Sequence, residues 1–241
     1  MRLFAVIVTG FVALGLAGVL ALLLGVTGGD NDDGPTKEEA FRQVLATMVL
    51  QIDEVPAGMQ SLGGSFSTNA DAASGLGGGP TEEQLNAWGR ILGHKNDFQA
   101  TEPSTESSIT AVSTAVSIYQ AAQGASDSFT DRVISARAVD WADSHSDLTE
   151  FQQEDLERDL GVDDMLWLHF TGYKEIGPGD RRLISDDQIV FRLDRAWGFI
   201  GAISTAASGV EDRAFMLQQI ELLARTQVQH MRDGLKSDDL E

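Results

Sequence analysis

The four histidines are the side chains best suited to acid–base or metal chemistry in this 241-residue sequence, which contains no cysteine. No pair of them forms an H-x-H, H-x-x-x-H or H-E-x-x-H pattern, so local spacing gives no support for a metal site. The lack of cysteine excludes thiol catalysis, disulfides and cysteine-type zinc sites. We therefore predict neither a metal nor a cofactor. The histidines are His94, His145, His169 and His230.

His169 has the most informative surroundings of the four. Alternation along its predicted strand places Trp167, His169 and Tyr173 on one face, and Trp197 and Phe199 are expected on a nearby strand. Together these side chains could line an aromatic cleft for an apolar or planar ligand. The alternative is a packed layer beneath a helix in which His169 is hydrogen-bonded. The sequence leaves both interpretations open.

Carboxylate doublets occur at Asp163-Asp164 and Asp186-Asp187. Neighbouring residues on a strand point to opposite faces, so a doublet rarely forms an acid–base pair. We expect both doublets to be solvated charges at strand starts. The sequence also lacks a G-x-S-x-G motif and a phosphate-binding loop. We therefore predict no catalytic residue and a protein that is not an enzyme.

The charge of the chain limits its partners. Lysine and arginine total 17 against 37 aspartate and glutamate, which gives a net charge of -20. Because so acidic a surface repels a phosphate backbone, nucleic acid is an unfavourable partner.

An apolar run at the amino terminus predicts a membrane anchor. Residues 3–26 carry no charge, and a helix of this length spans about 36 Å, enough to cross a bilayer. The run is longer than the apolar region of a cleaved signal peptide, which remains the alternative and would give a secreted protein. Arg2 precedes the run and acidic residues follow it, so the positive-inside rule exports the rest of the chain. We predict a single-pass protein of the cell membrane with its carboxyl-terminal domain outside the cytoplasm.

Three segments follow from this interpretation: an anchor over residues 1–26, an acidic Gly-rich linker over 27–35 and an α+β domain over 36–241. Small residues recur at every fourth position of the anchor, which is typical of helices that approach closely in a membrane. A homodimer through Ala13, Ala17 and Ala21 is therefore a further hypothesis.

Capping and turn residues predict the elements of the domain. Boxes of the S/T-x-x-E/Q type begin helices over about 37–50, 81–92 and 210–235, and a further helix is expected over 120–145. Segments 164–175, 182–193 and 196–204 read as an antiparallel meander around a Gly-Pro-Gly-Asp turn. Segment 164–175 is apolar on both faces, which favours a central strand. Further strands are expected over 59–68, 95–101, 107–119 and 148–156, and a surface loop over 69–80. The fold class is α+β, with helices packed on a mostly antiparallel sheet.

Four short motifs carry a resemblance to known proteins: Asp53–Met59 (DEVPAGM), Trp88–His94 (WGRILGH), Ser117–Ala125 (SIYQAAQGA) and Ile189–Arg192 (IVFR). With them the sequence resembles, over about residues 40–235, uncharacterised bacterial extracytoplasmic domains carried on a single span or a lipid anchor. More remotely, its element order resembles the PsbP/Mog1-like α/β/α sandwich. The resemblance implies a location and a fold but supplies no catalytic residue. The absence of the cysteine used by lipid-anchored members fits attachment through the chain's own helix.

The sequence therefore predicts a membrane-tethered extracytoplasmic module that binds a protein or a small molecule without catalysis. One alternative is an extracytoplasmic hydrolase that uses dispersed carboxylates. The other is a structural or assembly factor that dimerises through its anchor.

Overall fold

The computed structural model describes residues 36–74, 79–102, 108–207 and 213–240. The predicted anchor, its small-residue face at Ala13, Ala17 and Ala21, and the linker lie outside these ranges. Within them, no helix is long and apolar enough to cross a bilayer. The anchor and its dimer therefore stay predictions.

The described residues form a single sheet of seven strands together with helices, so the α+β fold class is confirmed. The helices are α1 Lys37–Thr47, α2 Asn69–Ala73, α3 Glu82–Ala87, α4 Ala122–Ala138, α5 Trp141–Ser144 and α6 Arg213–Gly234. The strands are β1 Met59–Ser67, β2 Arg90–Ala100, β3 Ser108–Tyr119, β4 Thr149–Asp155, β5 Asp164–Gly177, β6 Asp180–Leu193 and β7 Ala196–Ala207. A short 3-10 helix, Asp238–Leu240, follows α6.

Two of the predicted capping boxes are present. Thr36 caps α1 with Glu39, and Thr81 caps α3 with Gln84, each side chain satisfying a backbone N–H at the other position. The third predicted box, Ser208 with Glu211, lies outside the described residues. Helix α3 ends at Ala87, earlier than predicted, because the chain from residue 90 onward pairs with β3 instead.

Two predicted segments divide differently from expectation. The loop expected over residues 69–80 begins with α2, which Thr68 caps with Asp71. The helix expected over 120–145 is two helices, because the backbone becomes extended at Val139 and Asp140 caps α5 through the N–H groups of the next residues.

The sheet has the strand order β1-β2-β3-β7-β6-β5-β4, and every neighbouring pair is antiparallel. The meander of β5, β6 and β7 is confirmed, with Gly179 at φ 78° in its first turn and Asp194 at φ 50° in its second. The prediction that β5 is central is wrong, because β7 occupies the middle and β5 lies beside the edge strand β4.

Helices cover both faces of the sheet, which explains why β5 is apolar on both sides. On one face, α1 and α6 pack through Leu45, Ile220 and Val228 into a large cluster with the strands. On the other, Phe129 of α4 and Trp141 of α5 pack into a smaller cluster. We call these the α6 face and the α4 face.

Candidate functional site

Strand register divides the predicted aromatic cleft between the two faces of the sheet. Trp167 lies opposite Ile189, and Ile189 opposite Ile200, so these three side chains share the α6 face. Trp197 precedes Ile200 by three residues and therefore points to the α4 face, where Phe199 also packs. The prediction that Trp197 and Phe199 join Trp167 in one cleft is wrong.

Tyr173 is distant from the other members of the predicted set. It lies six residues beyond Trp167 on β5, about 20 Å along the strand. Its ring is half-buried near the hairpin turn, with the guanidinium carbon of Arg181 4.0 Å from the ring centroid. Tyr173 is therefore a surface platform for an arginine and has no contact with the core histidine.

Trp167 and His169 belong to a buried polar network around Asp187. Trp167 Nε1 donates to Asp187 Oδ1 at 2.7 Å, and His169 Nδ1 lies 2.8 Å from the same oxygen. The Ser185 hydroxyl is 3.3 Å from Asp187 Oδ2. Exposure is 1% for Trp167, 2% for His169 and 0% for Asp187, so the structure agrees with the packed-layer interpretation for these residues.

One nitrogen of His169 is left without a partner. Because a carboxylate accepts hydrogen bonds, Nδ1 carries the proton that faces Asp187. The other nitrogen, Nε2, is buried and has no hydrogen-bond partner among the described residues. In the register of the sheet, Glu154 of β4 lies directly opposite His169. The buried network therefore ends beneath a partly exposed carboxylate of the edge strand.

Asp186 meets a second histidine on the α4 face. His145 Nε2 lies 3.3 Å from Asp186 Oδ2, and His145 Nδ1 lies 2.9 Å from the carbonyl oxygen of Trp141. Burial lowers the pKa of His145, but these two hydrogen bonds together with the negative charges of Asp186 and Asp147 outweigh burial and raise its pKa above the usual 6.5. The ring packs against both Phe151 and Phe170, at centroid distances of 5.2 and 5.1 Å.

The two carboxylate doublets differ in their surroundings. Consecutive aspartates at 186 and 187 point to opposite faces, as predicted, but the expectation of solvated charges is wrong because they lie within β6 under helices. Asp163 and Asp164 both bind Arg192, at 3.2 and 2.6 Å. Among the described residues, no cluster of three or more metal-ligating side chains occurs.

A groove lies between the first half of α6 and the connection from β4 to β5. It consists of two adjoining open depressions, of about 310 and 580 Å³, that share Leu156 and Arg158. Sequence reasoning missed this groove, because its walls come from two segments that are distant along the chain, 154–165 and 213–221. Its apolar lining is Leu156, Leu160, Val162, Met165 and Leu217.

The charges of the groove are unevenly paired. Arg213 donates to Glu154, and this hydrogen bond lowers the pKa of Glu154 in spite of partial burial. Arg158 lies 3.6 Å from Glu221, which also binds Arg225 at 2.7 Å. The arginines on this surface are therefore neutralised by glutamates of β4 and α6.

Two acids at the other end of the groove form no ion pair with any residue that the structure describes. These are the exposed carboxylates of Glu157 and Asp159. The Asp159 carboxylate accepts the N–H of Gly161, while Arg158 and Arg225 donate to the backbone carbonyls of Glu157 and Asp159 rather than to their carboxylates. This end of the groove is therefore acidic beside an apolar floor.

Comparison with known proteins finds similarity to solved structures only. No family model matches the sequence, and no curated protein matches it. The extracellular domain of PknH from Mycobacterium tuberculosis is similar at 11% sequence identity and a TM-score of 0.40, over 79% of this chain and 96% of that one. A similarity of this size carries no argument about function. The resemblance to PsbP/Mog1-like proteins receives no support from these comparisons.

Proposed function

We propose that this protein is a membrane-tethered, extracytoplasmic binding module that is not an enzyme. Its groove beside α6 would bind a basic segment with apolar side chains. The observation that carries the proposal is an apolar floor in a concave surface, beside carboxylates that form no ion pair with the described residues. The apolar run at residues 3–26 supports the tether and the location.

Electrostatics favour a cationic partner for this groove. Glu157 and Asp159 add local negative charge to a chain whose net charge is -20. A field of that sign steers cationic groups towards the surface and repels anionic ones. The floor supplies the apolar area that a binding site needs for affinity, with Val162 and Met165 half-buried and open to contact.

The surroundings of the two Asp–His pairs, one buried and one half-buried, support a role without catalysis. Catalysis by such a pair requires that a substrate reach the histidine. His169 is enclosed beneath α6, and the ring of His145 packs against Phe151 and Phe170. The first pair instead joins the neighbouring strands β5 and β6, and the second joins the end of α5 to β6, which is a structural role.

Peptide binding tests the groove. We would titrate the full chain in detergent with two synthetic peptides that alternate leucine with either lysine or glutamate. The lysine peptide should bind and the glutamate peptide should not. Glu157→Gln combined with Asp159→Asn should weaken binding about 2- to 30-fold, as expected for two exposed ion pairs. The control is Glu82→Gln with Glu83→Gln, which removes the same charge from exposed positions of α3.

Equal weakening by the control pair would show that only net charge matters, and preferred binding of the glutamate peptide would refute the proposal.

A separate experiment tests the location. Protease added to intact spheroplasts should digest the domain that follows residue 30. A protected domain would contradict the outward orientation.

A further inference from the structure

Arg132 of α4 is a cation that has no acidic partner within the part of the chain that the structure describes. Among the described residues it forms no hydrogen bond and no ion pair, and its guanidinium carbon lies 5.0 Å from the centroid of the Trp197 ring. Its side chain is half-buried. In a chain with more than two acids for each base, an arginine left in this state calls for an explanation.

Hydrogen bonds hold the Trp197 ring that lies under Arg132. Trp197 Nε1 donates to the Tyr119 hydroxyl at 2.6 Å, and Tyr119 donates to Ser128 Oγ at 2.7 Å. Ser128 precedes Arg132 by one helical turn, so both lie on the same side of α4. Because Ser128 accepts from Tyr119, its own hydroxyl proton can be donated to a ligand bound by Arg132.

The charges of Arg132 and a second arginine, Arg90, interact. Arg90 is 6% exposed, and its N–H groups donate to neutral oxygens of Ser117, Ser67 and Asn69 at 2.9 to 3.1 Å. Burial lowers the pKa of Arg90, and the charge of Arg132 lowers it further.

No carboxylate forms an ion pair with either arginine in the described residues. Asp71 and Asp131 are the acids whose charges act on Arg90 and Arg132, and they do so from beyond ion-pair distance. Burial also lowers the pKa of Arg132. A buried and a half-buried positive charge without a carboxylate partner among the described residues are unfavourable, and an anion bound at Arg132 would relieve that cost.

We propose that Arg132, with Ser128 beside it and the charge of Arg90 behind it, binds the carboxylate or phosphate group of a ligand. The guanidinium presents paired N–H donors whose geometry matches both oxyanions. The contact with the Trp197 ring holds the guanidinium from one side and leaves its other N–H groups for the anion. The site lies on the α4 face, across the sheet from the groove, and is independent of it.

Spectroscopy of the tryptophan indole groups tests this site in the full chain in detergent. The protein has four tryptophans, and the spectrum of Trp197→Phe identifies the indole N–H signal of Trp197. Titration with inorganic phosphate and with acetate, at constant ionic strength in chloride, should shift that signal in a saturable manner. The anion that binds more tightly assigns the ligand class.

Two variants on the same helix separate a site from a general charge effect. Arg132→Gln should weaken binding at least about 10-fold, since it removes charge-assisted hydrogen bonds. Arg137→Gln removes a charge that pairs with Asp155 at 3.4 Å and should change binding less than about 2-fold. Arg132→Lys keeps the charge without the planar donors and should bind the anion with intermediate affinity. If Arg132→Gln does not fold, Arg132→Lys is used in its place.

Three results would overturn the proposal. The first is the absence of a saturable shift of the Trp197 signal with either anion. The second is unchanged binding by Arg132→Gln or by Arg132→Lys. The third is equal weakening by Arg132→Gln and Arg137→Gln, which would indicate screening of the whole helix surface.

Discussion

Removal of the Asp187 carboxylate should be among the most destabilising single changes in this domain. Asp187 accepts two short hydrogen bonds, from Trp167 Nε1 at 2.7 Å and from His169 Nδ1 at 2.8 Å, in a layer that excludes solvent. Asp187→Ala leaves both donors buried without an acceptor. The sheet on one side and α6 on the other leave little room for water to replace the carboxylate.

The expected cost follows from these two contacts. A buried donor that loses its acceptor costs about 1–3 kcal/mol. Two of them, with the small cavity that alanine leaves, give a loss of about 3–5 kcal/mol in the free energy of unfolding, as for broken buried polar pairs. The Ser185 contact, at 3.3 Å, is longer and adds little. For a domain of this size the loss corresponds to a fall in Tm of about 6–20 °C.

Thermal and urea unfolding of the full chain, followed by circular dichroism, would measure the effect. Asp187→Asn retains one acceptor oxygen and should lose about 1–3 kcal/mol. Asp53→Ala is the control, because Asp53 is exposed and has no hydrogen bond among the described residues; it should change stability by less than about 0.5 kcal/mol. If Asp187→Ala were as mild as Asp53→Ala, Asp187 would not be the acceptor that organises this layer.

Two further predictions concern other parts of the domain. Gly124→Ala should lower the free energy of unfolding in urea by about 1–3 kcal/mol or more, because a Cβ there would lie 1.8 Å from the Trp88 carbonyl oxygen. Gly177→Ala is the control and should be neutral, since a Cβ there meets open space. Equal effects of the two substitutions would contradict the close approach at Gly124. His145, whose pKa is raised on folding, should stabilise the protein below about pH 6.5 and lose that contribution as the pH rises through its folded pKa. Asp186→Asn should reduce this pH dependence of Tm. If an NMR titration gave His145 a pKa at or below its ordinary value, the prediction would be refuted.

The local elements of this fold were determined by residues close together in sequence. The boxes at Thr36 and Thr81 act over three positions, and the tight turns at Gly179 and Asp194 set the meander of β5, β6 and β7. Such signals survive in a single sequence, because the groups that satisfy each other lie within one turn of the chain.

The faces of the strands depended on register, which the sequence did not fix. Trp167 and Trp197 each lie on a correctly predicted strand, yet they point to opposite sides of the sheet. A shift of one residue in pairing exchanges every side chain between faces, so an aromatic set assembled from two strands requires the exact pairing. The cleft was predicted from alternation within each strand, and alternation alone carries no information about the neighbouring strand.

Only the tertiary structure brought together the side chains that now carry the functional proposals. The groove joins the connection after β4 to α6, and Arg132 lies over a tryptophan 65 residues later in the chain. The doublet at Asp186 and Asp187 acquires two different histidines because Asp187 lies opposite His169 of the adjacent strand β5, while Asp186 faces His145 at the end of α5. Sequence determined the composition, the charge and the elements. Packing decided which charges are paired, buried or left without a partner, because those states depend on contacts between distant segments.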